Sequence, residues 1–259
     1  MNIPIEIFNT FNKIKFEDST HTYYLDCVKL TSVTTLIHEY TSHFDEEYWL
    51  PIKSADYGIT ELQLKSAWTF LNNHSTFKGS VLHNYIENYY FNKLYEYPSK
   101  EIIEHFGYDP IINQFKIIQN QFFNFYNISF GKLIPIKPEY VVYDEEYGIS
   151  GMVDMLFFNK KKNCLQIYDW KTNKALKSNN RFQKMSGIFS DMDDCELNTY
   201  TIQLNTYKYI IEKNTGVKID GLYIVWFYEG NSDYKIIEIK NIQDKIKLML
   251  DDFKNKKTH

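Results

Sequence analysis

The sequence predicts an α/β fold: an αβββαβ core whose mixed sheet is flanked by helices, preceded by an N-terminal hairpin and a helical insert. Three observations predict it. Two apolar runs of strand length, 148–158 and 165–172, enclose the turn-like Asn159-Lys160-Lys161-Lys162-Asn163 and read as a buried β-hairpin. Helical apolar periods bracket that hairpin, at 111–126 before it and 197–214 after it. A closing strand pair follows at 219–228 and 234–239, around Gly230-Asn231.

Taken in order, 13–30 alternates around His21-Thr22-Tyr23-Tyr24-Leu25-Asp26 and predicts short paired strands, with Asp26-Cys27 near the turn. Ser32 or Thr31 is placed to cap a short helix beginning near Val33. Hydroxyls at such a start, from Ser32 and Thr34, are alternatively phosphate ligands. Residues 44–73 read as a helical insert or lid carrying Trp49, Tyr57, Trp68 and Phe70, with a capped helix start at Thr60-Glu61-Leu62-Gln63. From Gly79 a helical period at Leu82, Ile86 and Tyr89 places His83 and Glu87 four apart on one face. Gly79 itself suggests a close backbone approach. The division expected is therefore 1–78, hairpin and helical arch, and 79–259, core.

The passage 98–109 is turn-rich, and helix 111–126 aligns Phe115, Ile118, Phe122 and Phe125. A strand at 135–143 carries Glu139, and Asp144-Glu145-Glu146-Tyr147-Gly148 turns it into the hairpin. Beyond the hairpin lies a basic segment, then an acidic link at 191–196 that reads as solvated. Helix 197–214 carries Leu197, Tyr200, Leu204, Tyr207 and Ile211 on its apolar stripe and is stopped by Gly216. The tail, 242–253, reads as an amphipathic helix fraying into Lys254-Asn255-Lys256-Lys257.

With 259 residues, 44% hydrophobic and 17% aromatic, the chain can bury a sizeable core. No apolar run approaches the roughly 20 residues that span a bilayer. Glu6, Glu17 and Asp18 make the first twenty residues unlike a signal or transit peptide. The expected location is the cytoplasm, that of a host cell if the chain is viral, with no membrane partner. Cys27, Cys164 and Cys195 lie far apart and suggest neither a disulfide framework nor a zinc site.

The net charge of -4 argues against a generally basic nucleic-acid surface, yet the distribution is uneven. Between 159 and 184, Lys160, Lys161, Lys162, Lys171, Lys174, Lys177, Arg181 and Lys184 face the single acid Asp169. Such a run is either a solvated loop or a track for phosphates.

Each hairpin strand holds a carboxylate with no packing reason to be there, Asp154 and Asp169. Burying an ionised Asp unpaired costs several kcal/mol, so the two call for a cation. Alternation puts Asp169 and Lys171 on one face with Trp170 turned away, so a carboxylate and an amine stand side by side.

In order, the chain presents Gly79-x-x-x-His83, Glu139, Gly151-x-x-Asp154, Asp169-x-Lys171 and Gln203-x-x-x-Tyr207. This series resembles the RecB-like branch of the PD-(D/E)XK nuclease superfamily, over 79–239, and is most similar to its phage and mitochondrial genome maintenance-type exonucleases. The resemblance implies a restriction-endonuclease-like core and metal-dependent hydrolysis of DNA phosphodiester bonds. It implies an exonuclease acting on single strands or free ends in replication, recombination or repair, with proteins of those processes as partners. One or two Mg²⁺ or Mn²⁺ ions would be held by His83, Asp154, Asp169 and the carbonyl of Trp170. Lys171 would orient or deprotonate the water, with its pKa lowered, and Glu139 would reach a second ion or its waters.

Gln203 and Tyr207 would steady the lysine or the DNA backbone, and Glu87 would stand behind the metal ligands. Lys174, Lys177 and Arg181 would meet the substrate, as would Ser32 and Thr34 in a string similar to the N-terminus of that group. Members with an iron–sulfur cluster hold it with four cysteines, which this chain lacks. The alternatives are a structure- or sequence-specific endonuclease on the same core and a non-catalytic nucleic-acid-binding protein.

Overall fold

The structure, a computed structural model, describes residues 4, 6–17, 20, 22–91 and 110–257, the side chains of 110–112 excepted. His21 and the passage 98–109 lie outside the described residues. Helix α1 (Glu6–Asn9) leads into a small antiparallel sheet of β1 (Ile14–Glu17), β2 (Thr22–Leu25) and β3 (Val28–Lys29). Asp26 and Cys27, at φ 46° and 69°, form the β2–β3 turn. Two successive positive φ values match the right-handed twist of the strands they join.

Next come β4 (Thr31–Ser32) and α2 (Val33–His38). Ser32 takes the cap, its Oγ accepting the Thr35 N–H at 3.0 Å, while Thr31 belongs to the strand. Helices α3 (Glu46–Tyr57) and α4 (Glu61–Tyr90) form a hairpin. Gly58, left-handed at φ 65°, stops the first, and Thr60 with Gln63 caps the second in a reciprocal box.

Helix α4 runs unbroken for 30 residues, so the expected division at 78/79 falls inside one helix. A Cβ at Gly79 would meet Thr172 Oγ1 at 3.7 Å, an ordinary contact, so the close approach expected there is not required.

The core begins at α5 (Pro110–Ser129), which turns Phe115, Ile118, Phe122 and Phe125 inward. An antiparallel meander follows: β5 (Leu133–Asp144), β6 (Ile149–Asn159) and β7 (Cys164–Lys171). Helix α6 (Glu196–Thr215) then carries the chain to β8 (Ile219–Trp226), which pairs in parallel with β7. Strand β9 (Lys235–Glu238) adds an antiparallel edge, and α7 (Gln243–Lys257) closes the chain. The last helix continues to Lys257 instead of fraying at Lys254. The order α5-β5-β6-β7-α6-β8 is the αβββαβ core the sequence predicts, with a mixed sheet between helical layers.

Alternation along the strands assigns each residue to a layer. Leu165, Ile167, Leu222 and Ile224 pack with α2, α6 and α7, whereas Phe157, Tyr168, Trp170 and Val225 pack with α4 and α5. Trp170 is buried there, its ring 5.6 Å from Phe125 in an edge contact. Such pairs add about 0.5–1.5 kcal/mol beyond their buried area. Asp169 and Lys171 share the parity of Ile167 and so face α6, as expected of a D-x-K strand.

One irregularity positions the site. Along the same edge of β6, β4 pairs with Ile149 and Ser150 while β7 pairs with Met155 through Asn159. Between them β7 diverges, and the Asp154 carboxylate bridges the fork by accepting the Trp170 N–H at 2.7 Å. A buried amide that loses its strand partner is thereby satisfied by a side chain. No helix among the described residues is long and apolar enough to cross a membrane.

Candidate active site

Three acceptor atoms converge at the fork, one from each of three elements. His83 comes from α4, Glu139 from β5 and Asp154 from β6, and one ligand atom from each lies within 4.8 Å of the others. His83 Nδ1 is 3.6 Å from Asp154 Oδ1 and 4.0 Å from Glu139 Oε1. On the far side of the ring, His83 Nε2 is 3.1 Å from the Trp170 carbonyl.

A carbonyl only accepts, so this contact assigns a proton to Nε2 and turns Nδ1, the nitrogen that would ligate a cation, toward the two carboxyl groups. An imidazole nitrogen and two carboxyl groups, once the carboxyl protons are given up, form an acceptor set that a cation completes. The Trp170 carbonyl thus orients the histidine, a different task from the ligand role expected of it.

The backbone is strained to achieve this. Glu139 sits at φ 43° within β5, between Pro138 and Tyr140, whose partners Met155 and Val153 flank Asp154. A non-glycine residue in that region costs on the order of 1–3 kcal/mol and persists where the surroundings over-determine it. The distortion sets the Glu139 carboxylate beside that of Asp154.

Burial, then the charges of Asp154, Glu87 and Asp169, push the Glu139 carboxyl up to about 9. A carboxylate held so unfavourably in the absence of a counter-ion is one that a divalent cation would relieve.

Asp169 is placed behind this trio. Its side chain is 2% exposed, and Oδ2 meets the Lys171 ammonium at 2.7 Å. Burial and then Asp154 raise the Asp169 carboxyl to about 6, against the lowering influence of Lys171 and His83.

The lysine departs from expectation. Burial alone would lower its pKa, but Asp169 and Asp154 outweigh burial and hold the amine above its usual value. Without a bound metal Lys171 is therefore an ammonium; the lowering expected of it is the work of metal ions, whose positive charge would oppose these carboxylates.

Helix α6 supplies the opposite wall. Gln203 Nε2 donates to the Tyr207 hydroxyl at 2.9 Å, so this pair is joined to itself and not to the lysine. What Tyr207 packs against is Gly151: a Cβ there would stand 2.3 Å from Tyr207 Cε1, a distance no real pair adopts. Gly151 and Tyr207, separate motifs in the sequence, are one fitted contact.

The residue that does meet the lysine is Tyr200, whose ring centroid is 4.5 Å from Lys171 Nζ and whose hydroxyl donates to Asn173 Oδ1 at 3.1 Å. Sequence reading places Tyr200 on the apolar stripe only. Its position seven residues before Tyr207, on the same helix face, is the signal that could have found it.

The remaining expected residues divide. Glu87 joins His83 and Glu139 in lining an open cavity of about 610 Å³, with Phe16, Ser80, Asn84 and Met152. Lys177 and Arg181 line a second groove of about 590 Å³ beyond Tyr200. Lys174 lies exposed on the same loop. Ser32 and Thr34 occupy the first turn of α2, where Ser32 Oγ is engaged by Thr34 Oγ1 at 2.9 Å and Thr35 Oγ1 at 2.7 Å. That is capping geometry, and the cavity at His83 is not lined by them.

The acidic link is tied down as well: Asp191 pairs with Lys245 and Asp193 with Lys184.

No protein-family profile matches the chain, and no curated protein matches it. A solved structure from Eubacterium rectale, provisionally named an exonuclease, is similar over 71% of this chain and 65% of its own, with a TM-score of 0.42 and 15% sequence identity. The chain therefore spans just under two thirds of the length of that structure, and a likeness of this depth assigns no residue a role.

Proposed function

We propose that the chain is a metal-dependent nuclease that hydrolyses DNA phosphodiester bonds, acting as an exonuclease on single strands or free ends. The observation that carries this is the convergence of His83 Nδ1, Glu139 and Asp154 on one point, with the Asp169–Lys171 pair behind it. Hard carboxylate oxygens with one imidazole nitrogen suit Mg²⁺ or Mn²⁺. When bound, such an ion supplies charge neutralisation at the phosphate and a water of lowered pKa.

The chain's own groups divide the other tasks. Asp154 uses one oxygen to hold the Trp170 N–H and turns the other toward His83, so its orientation is fixed before substrate arrives. Lys171, kept protonated by Asp169, serves as a hydrogen-bond donor and positive charge toward the phosphate as negative charge accumulates there. An ammonium in that state orients and neutralises; with a bound ion's charge lowering its pKa, the same amine would be placed to take a proton from the water. Lys174, Lys177 and Arg181, without ion-pair partners among the described residues, would track the flanking phosphates.

End-labelled linear and circular single-stranded DNA, each with Mg²⁺, Mn²⁺ or chelator, tests the reading. Loss of the linear form alone, abolished by chelator and by Asp154→Asn, is expected. Cleavage of the circle would move the protein to the endonuclease reading. No cleavage of either with both metals, in wild type and Lys171→Ala alike, would leave a nucleic-acid-binding protein.

A further inference from the structure

Phe182 is 99% exposed, on the loop between β7 and α6. A phenylalanine ring left wholly in water forgoes about 1.5–3 kcal/mol of burial. Exposure here is not the result of a slack loop. The Phe182 N–H donates to Asn180 Oδ1 at 3.2 Å, and Asn180 is fixed in turn by its N–H to Asp193 Oδ2 at 3.1 Å and its Nδ2 to the Asp194 carbonyl at 2.8 Å. On the other side the Asp194 N–H donates to the Gln183 carbonyl at 3.0 Å. The ring is therefore held out by a bonded frame.

Its surroundings indicate what it waits for. Phe182 lines the groove with Lys177, Arg181 and Tyr200, and Tyr200 is the residue whose ring lies against Lys171 Nζ. One side chain thus connects the groove to the catalytic lysine. Among the described residues Lys177 and Arg181 have no carboxylate partner. The groove also holds two acids: Asp194, an anion fixed in place by the Ser42 N–H at 2.7 Å and hydroxyl at 2.5 Å, and Glu196.

An exposed aromatic plane in one groove with cations that have no ion-pair partner among the described residues is the chemistry that grips a single strand: cations take the phosphates and the ring takes a base face. A protein partner's apolar pocket would accept the ring but gives no reason for the flanking cations.

We propose that Phe182 is a stacking platform for one unpaired base, a few nucleotides from the phosphate presented to Lys171, and so selects single-stranded over paired DNA. Resting on the nuclease reading, it adds a residue that no motif marks. A base inside a duplex has both faces covered by its neighbours, so only an unpaired one can meet the ring.

The test is binding, in chelator, of a fluorescent thymidine oligonucleotide and of copies carrying one abasic site at successive positions, to wild type, Phe182→Ala and Phe182→Trp. Stacking on an aromatic is worth about 1–3 kcal/mol per base, so Phe182→Ala should bind the intact strand about 5- to 150-fold more weakly. One abasic position should cost wild type a similar factor and Phe182→Ala nothing further. Phe182→Trp should restore affinity, with its indole fluorescence quenched by the intact strand and not by the copy abasic at that position.

Equal affinity of wild type and Phe182→Ala, or an abasic penalty that is the same in both, overturns the proposal. The two readings fail separately. Wild type that cleaves with Mg²⁺ while binding independently of Phe182 removes the platform alone, and Phe182-dependent binding without cleavage by either metal removes the nuclease alone.

Discussion

Replacing Gly151 by alanine should injure the protein through one contact. The new Cβ would stand 2.3 Å from Tyr207 Cε1 and 3.1 Å from Cζ and the hydroxyl. Ordinary contact begins near 3.4 Å, so the overlap exceeds an ångström. The ring has little freedom to yield, since Tyr207 is 3% exposed and its hydroxyl is held by Gln203.

Overpacking of this kind costs about 1–3 kcal/mol. Gly151 lies on the strand three residues before Asp154, so any backbone shift that relieves the clash displaces the carboxylate at the fork. Urea unfolding of wild type, Gly151→Ala, Tyr207→Leu and the double variant reads the contact as a double-mutant cycle. Leucine keeps apolar volume but removes the Cε1 atom, so Gly151→Ala should cost nearly nothing in that background. The coupling should then equal the single-variant penalty. A Gly151→Ala penalty that is the same with and without the tyrosine ring, or that is absent in wild type, would refute the packing argument.

Other consequences follow from the charges. Glu139 is raised from 4.5 to about 9 and Asp169 from 3.8 to about 6, so the folded, metal-free protein binds more protons than the unfolded chain between those values. Stability in chelator should therefore fall as pH rises from about 4 toward 9, Mn²⁺ should offset the fall, and Glu139→Gln should flatten it; thermal melts showing a chelated protein that gains stability over this interval would contradict the assignment.

Asp144, 1% exposed, accepts from Lys213 Nζ at 2.8 Å, from Asn214 Nδ2 at 2.9 Å and from the Tyr147 N–H at 3.0 Å. Asp144→Ala strands the Tyr147 N–H and leaves Lys213 to Glu146 and Asn214 to the Ile210 carbonyl, so it should cost about 1–3 kcal/mol by urea unfolding, and no measurable cost would mean the site rehydrates freely. Charge reversal at Lys174 and Lys177 should lower the salt dependence of single-strand binding by about 0.7 in log-log slope per lost phosphate contact, and an unchanged slope would remove the loop from the substrate path.

Periodicity carried the larger elements into view. The hairpin of β6 and β7, the stripe of α5 and the glycine stop of α6 are local patterns, and each folds where its own sequence places it. Helix α4 was harder to read because its first half leaves Leu62, Phe70 and Leu71 exposed. With no inward stripe before Val81, Gly79 looked like a beginning.

At the site, residue types were legible and their divisions of labour were not. The Asp169–Lys171 pair follows from strand alternation, but the positive φ of Glu139 and the orientation given to His83 by the Trp170 carbonyl depend on how β5, β6, β7 and α4 meet at the fork. That is a property of three strands and α4 together, and no window of sequence contains it. The pairing of Gly151 with Tyr207 crosses 56 positions of chain and becomes visible only when α6 lies against β6.

Crystals soaked in Mn²⁺ and measured for anomalous scattering would address the central claim directly. The expected result is a peak bonded to His83 Nδ1, Glu139 and Asp154 at ligand distance, with His83 Nε2 still donating to the Trp170 carbonyl. Diffraction that shows no manganese there, or places it away from all three side chains, would contradict the metal site and the hydrolysis built upon it.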